Sequence, residues 1–133
     1  ACVLSEQELK LTRELDSYHE IYHVWEKLDV ALVNIGNFPS VPDFASEARY
    51  GDLLIRQKAV GRILNYFMDS QGHIIRSDTD YAIQIPLELL TRTRHVVGIC
   101  SANTSPKAFR AALKTGYLKH FIAPEHVVRE ALE

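Results

Sequence analysis

His19-Glu20-Ile21-Tyr22-His23 has the form H-E-x-x-H. On a helix this places two imidazoles one turn apart with a carboxylate between them, the arrangement zinc hydrolases use to hold a metal and a general base. The flanking pattern argues against that chemistry. Tyr18, Ile21, Tyr22 and Trp25 recur at i, i+3, i+4 and i+7 and define an apolar face. His19 and His23 fall on the other side with Asp16, Glu20, Glu26 and Lys27. A catalytic zinc also needs a third ligand in a dry cleft. The one nearby acid, Glu47, lies beyond a proline-bearing loop. The histidines read as a solvated helix face, with no metal or other cofactor expected.

A second group is Ser101-Ala102-Asn103-Thr104-Ser105 with Lys107 just beyond it. Hydroxyls, an amide and an ammonium at the start of a helix can cradle an anion, because the first N–H groups of a helix are unpaired and lie at its positive end. The same residues also make an ordinary capped helix with a solvated lysine, and spacing alone does not separate the two. Arg62, which follows Gly61, lies off the apolar positions Val60, Ile63, Leu64 and Phe67. Arg49, Arg56 and Arg62 all read as surface arginines unless a ligand recruits them. Cys100 closes an apolar run without a catalytic partner in sequence and reads as packing.

The elements that must position these groups follow from caps and periodicity. Ser5 ahead of Glu6-Gln7-Glu8 opens a first helix, and Asp16 or Ser17 caps a second that runs to about Lys27. Asp29 to Gly36 reads as a buried strand, and Asn37 to Asp43, with two prolines, as a loop. Val60, Ile63, Leu64 and Phe67 repeat at helical spacing before a turn at Asp69-Ser70-Gln71-Gly72. His73–Arg76 and Tyr81–Ile85 read as short strands, and Pro86 opens a brief helix over Leu87–Leu90. His95–Cys100 is a strand, and Ser105-Pro106 starts a helix that turns Phe109, Ala112 and Leu113 inward and stops near Gly116. A strand near Phe121-Ile122 and a helix from Pro124 or Glu125 to Leu132 complete a parallel βαβα unit. In such a sheet, ligands bind beyond the carboxyl ends of the strands, where the 101–105 loop lies.

The chain has 133 residues, 15 basic and 17 acidic, for a formal net charge of −2. This balance disfavours an electrostatic grip on nucleic acid. Apolar runs such as Val30–Val33 are too short to cross a bilayer. Two cysteines give no disulfide framework and point to a reducing, cytoplasmic setting. The length suits one core, and the start at Ala1 within a helix-like pattern leads us to expect part of a longer protein.

Several segments resemble the sugar-binding domain of SorC-type bacterial transcriptional regulators. Trp25 with Leu28–Gly36 resembles the family's LDVALVGIG, and Ala59–Gly72 resembles AVGDIxxxFFDxxG. Val96–Cys100, Lys107-Ala108 and Ala111–Leu118 together resemble VIGVAGGxxKAxAIxAALxGGYL. The match runs from about Trp25 to the end of that last segment, which would make the chain the C-terminal part of one effector domain, without the helix-turn-helix or the first part of the sensor.

The resemblance implies a three-layer α/β/α fold with a mainly parallel sheet, similar to sugar-phosphate isomerases and deaminases and incomplete in this chain. It implies a non-enzymatic sensor in which a phosphorylated sugar modulates DNA binding by a separate domain of a homo-oligomer. Lys107 matches the family's effector lysine. Arg62 stands where the family has an acid that contacts a sugar hydroxyl, and Ser101-Ala102 replaces Gly-Gly in a loop two residues longer. The candidate effector set is therefore Lys107, Arg62, Ser101, Asn103, Thr104, Ser105, Gly36 and Arg49, with no catalytic residue. A sugar-phosphate isomerase or deaminase on the same fold is the alternative, and lacks its carboxylate base where Arg62 stands. A zinc hydrolase through residues 19–23 is the third.

Overall fold

The computed structural model describes residues 1–40 and 44–133, so the last part of the Asn37–Asp43 loop lies outside the described residues. Helix α1 spans Glu6–Arg13, and the Ser5 hydroxyl accepts the Glu8 N–H at 3.1 Å, the cap expected from sequence. Helix α2, Asp16–Glu26, has Leu15 at its N-cap and no side-chain cap, so neither Asp16 nor Ser17 plays that part. Its inward stripe is also narrower than expected. Tyr18, Tyr22 and Trp25 meet edge to face or tilted at about 6 Å, and Tyr22 and Trp25 pack on the core. Ile21, at the margin of this aromatic stripe, is exposed.

A five-stranded sheet follows in the order β3-β2-β1-β4-β5, where β1 is Val30–Asn37, β2 Ala59–Ile63, β3 Tyr66–Asp69, β4 His95–Ile99 and β5 His120–Ile122. Strands β1, β4 and β5 are mutually parallel, and β1-β2-β3 is antiparallel. Helices α3 (Phe44–Tyr50) and α4 (Leu53–Arg56) lie between β1 and β2, and α5 (Leu87–Arg92) precedes β4. Helix α6 (Pro106–Lys114) links β4 to β5, and α7 (Glu125–Leu132) closes the chain. One face of the parallel strands, through Ala31, Val33, Ile35, Val96 and Cys100, forms a single core with Phe109, Ala111, Ala112, Val127 and Ala131 of α6 and α7.

The opposite face explains one departure from the sequence reading. Strand β1 alternates rather than being buried throughout: Val30 and Leu32 point away from the core, Leu32 with 66% exposure. The register carries this row across Val97 and Ile99 to Ile122, which is 61% exposed. The architecture is the mixed α/β fold expected, parallel at its centre and uncovered over part of one face.

The largest correction is at residues 59–69. Helical spacing there is replaced by a β-hairpin, because a register shift between Ala59 and Gly61 buries Val60 and Gly61 together and disrupts the period-2 signal. The loop is two residues, Leu64-Asn65, with Leu64 at φ +53°, held by its N–H to Asn34 O and by packing on the core. The expected strands at 73–76 and 81–85 reduce to single bridges, Met68 with Ile74 and Cys2 with Ala82. On α6 the buried residues are Ala108, Phe109, Ala111 and Ala112, whereas Leu113 is turned outward.

Candidate functional site

At the carboxyl ends of β1 and β4, the loop 101–105 is shaped by its own short polar side chains. The Thr104 hydroxyl accepts the Ser101 N–H at 2.8 Å, and the Ser101 hydroxyl accepts the Asn103 N–H at 3.3 Å. Ser105 caps α6 by accepting the Ala108 N–H at 3.0 Å, and Pro106 occupies the first helical position. From the neighbouring strand, Asn37 donates to Asn103 O at 2.8 Å and accepts the Ser105 N–H at 2.7 Å. Thr104, buried, also lies 3.4 Å from Ile35 O. Much of the expected cradle is thus engaged in holding the loop. Among the described residues, the N–H groups of Ala102 and Lys107 are left without a protein partner. Beside them stands the exposed side chain of Lys107 at the second helical position. One ammonium and two unpaired N–H donors near the end of a parallel sheet are groups of the kind that suit an anion.

Arg62 lies in register with Gly36 at the same end of β1. Its side chain covers the strand so closely that a Cβ at Gly36 would lie 2.8 Å from Arg62 Nε, so any larger residue at 36 would require the Arg62 side chain to shift. Arg62 Nη1 donates to Asn65 Oδ1 at 3.4 Å. Gly61, one residue earlier, faces the other way: a Cβ there would lie 2.8 Å from Ala108 Cβ and 2.9 Å from Gly36 O. The β2–β1 pair thus brings Arg62 to one side of the strand end and the start of α6 to the other.

Arg49 is placed apart from this group. Its guanidinium is buried, with Nε donating to Asp80 Oδ1 at 2.6 Å and Nη2 to Asn65 O at 2.9 Å, and it lies over the Tyr50 ring. Both arginines touch Asn65, Arg49 at its backbone O and Arg62 at its Oδ1. Cys100 is buried; burial pushes its thiol up, and the contact with Thr104 only partly opposes this. Its place at the end of β4 is one of packing. His19 and His23 are exposed on α2, with His23 Nδ1 3.3 Å from Glu26 Oε1. Among the described residues no three His, Cys, Asp or Glu side chains converge as a metal site, and no helix is long and apolar enough to cross a membrane.

Asn37, Asn65 and Gln84, whose Oε1 accepts the Asn65 N–H at 3.1 Å, were absent from the sequence-based set. A polar residue closing a parallel strand was the available signal for Asn37. For Asn65 the signal lay in the hairpin hidden by helical spacing.

With this geometry in place, comparison with known proteins is direct. Residues 2–133 match the family model described as "Putative sugar-binding domain", and the chain belongs to that family. The fold is shared with the full-length sorbitol operon regulator SorC from Klebsiella pneumoniae, at 22% identity and a TM-score of 0.84, covering 100% of this chain and 44% of that one. A transcriptional regulator from Streptococcus pneumoniae TIGR4 aligns at 20% identity and a TM-score of 0.78 over 99% of this chain and 53% of that one. A DeoR family transcriptional regulator from Listeria monocytogenes aligns at 19% and 0.79 over 97% of this chain and 54% of that one. The chain therefore spans about half the length of these structures. A sequence comparison with curated proteins gives no match.

Proposed function

We propose that this chain is the effector-sensing part of a sugar-responsive transcriptional regulator, acting in the cytoplasm within a longer polypeptide whose separate domain reads DNA. The observation that carries the reading is Lys107 on the second residue of a capped helix, at the carboxyl edge of β1 and β4, in a chain of the sugar-binding family. The ligand is a phosphorylated sugar. Its phosphoryl group meets Lys107 and the N–H groups of Ala102 and Lys107, and Arg62, which can only donate, meets an acceptor on the ligand. Binding favours one arrangement of a homo-oligomer, and operator affinity changes by the difference in binding energy between arrangements. The exposed row Val30, Leu32 and Ile122 supports self-association. We read the site as one that binds its ligand, since Arg62 stands where an isomerase or deaminase would need its carboxylate base.

The test is a thermal-shift screen of the chain and of the full-length regulator against sugar phosphates and their unphosphorylated sugars. A ligand at 100 times its dissociation constant stabilises by about 2.7 kcal/mol. Stabilisation by the phosphorylated form alone, lost in Lys107→Ala, is the expected result. Equal stabilisation by the free sugar, or turnover of any sugar phosphate, overturns the reading.

A further inference from the structure

We infer that Asn37 is the positioning residue of this anion site, a reading that rests on the proposed effector function. Its carboxamide, at the end of β1, reaches a loop that is 66 to 68 residues away in sequence and holds it at two points. Nδ2 donates to Asn103 O at 2.8 Å and Oδ1 accepts the Ser105 N–H at 2.7 Å. A planar amide that pairs with a C=O and an N–H two residues apart fixes the orientation of the intervening backbone as well as its distance. The other tie across to β1 is the 3.4 Å contact from Thr104 to Ile35 O, which is long for a hydroxyl donor. Asn37 thereby sets where the start of α6, and Lys107 with it, stands against the strand ends.

The same contact also selects donors. Asn37 occupies the Ser105 N–H, and Ser105 occupies the Ala108 N–H, so the N–H groups of Ala102 and Lys107 are the ones left available to a ligand. The groups left over are donors and a cation, which suit an acceptor-only anion such as a phosphoryl group. Alanine at 37 frees the Ser105 N–H and releases the loop, so that a ligand must order it on binding.

The experiment is an amide-resolved NMR titration of the intact chain with inorganic phosphate, combined with hydrogen exchange. In the wild type, phosphate should shift the Ala102 and Lys107 amides and slow exchange of the Ser105 N–H, because a ligand that prefers the held loop must protect it. In Asn37→Ala, exchange at Ser105 should quicken and phosphate affinity fall about tenfold, with Lys107 still present. Lys107→Ala tests the underlying site separately. If it loses phosphate binding while Asn37→Ala binds within twofold of wild type, the positioning role is overturned and the site stands. If Lys107→Ala binds phosphate as the wild type does, the site itself is misplaced. Should Asn37→Ala fail to fold, Ser105 exchange in the wild type decides: unchanged exchange at saturating phosphate overturns the proposal.

Discussion

Arg49 and Asp80 meet at 2.6 Å, Nε to Oδ1, with the arginine side chain only 5% exposed. The pair ties α3 to the segment that precedes α5. Tyr50 donates its hydroxyl to the same carboxylate at 2.9 Å and the Ala82 N–H adds a third bond at 3.2 Å. Burial by itself raises the pKa of Asp80, but the hydrogen bond and charge of Arg49 outweigh it and hold the carboxyl below its usual range.

Two outcomes follow for Asp80. Asp80→Asn leaves Arg49 buried without its counter-charge and should cost about 3–5 kcal/mol, read from urea unfolding midpoints. A carboxyl with a depressed folded pKa contributes stability that is complete above its unfolded value, near 4, and is lost as pH falls through its folded value. The wild type should therefore lose stability below about pH 4, and that limb should flatten in the variant. Equal midpoints for the two proteins at neutral pH would show that the pair is not a structural tie.

In the proposed effector site, a charge-assisted contact from Lys107 should be worth about 1.5–3 kcal/mol, roughly 10- to 150-fold in affinity. Lys107→Ala in the full-length regulator should lose the effector response while operator binding survives. Arg62→Asp restores the acid of the resembling family and should weaken the native ligand by calorimetry. Undiminished affinity in Lys107→Ala would place the anion elsewhere.

The double substitution of His19 and His23 by alanine should leave stability within about 0.5 kcal/mol, the usual range for exposed positions. Both side chains are exposed. Metal analysis of the purified protein is the check; stoichiometric zinc that disappears in the double variant would reverse the assignment.

Residues 1–133 alone should not retain operator DNA, since 15 basic residues are balanced by 17 acidic ones. Gel-shift with an operator fragment tests this, and sequence-specific retention would contradict it.

The uncovered sheet face should drive association between copies. Light scattering should show a mass that rises with concentration, reduced by Leu32→Glu on the exposed row. A monomer at every concentration, unchanged by the substitution, would count against the homo-oligomer.

Where a local signal had one physical meaning, sequence and structure agree. Ser5 and Ser105 are hydroxyl caps that need only their own helix, and both are found bonded as expected. The β4-α6-β5-α7 order was equally readable, because each element is bounded by proline, glycine or a cap. Residues 59–69 failed because a bulge places two neighbours on one side and mimics a helical repeat. Ile21 and Leu113 failed for a tertiary reason: small alanines let α6 approach the sheet closely, and aromatic rings fill the inner stripe of α2. In the candidate site, the Ser105 cap and the polar loop before Lys107 were visible as residue types and spacing, which did not by themselves separate an anion cradle from a plain capped helix. The two contacts of Asn37 were not, since they exist only once β1 and β4 are neighbours.

The contact between Gly61 and Ala108 carries an evolutionary consequence. Any side chain gained at 61 meets the Ala108 Cβ at 2.8 Å and the Gly36 carbonyl at 2.9 Å. Trimming Ala108 to glycine would remove only the first obstacle, because the second is backbone of the adjacent strand. A lineage carrying this packing can therefore exchange the residue at 62 far more freely than the residue beside it. If Arg62 meets the ligand as proposed, preference can drift by single substitutions there while the seat of α6 on the sheet stays fixed.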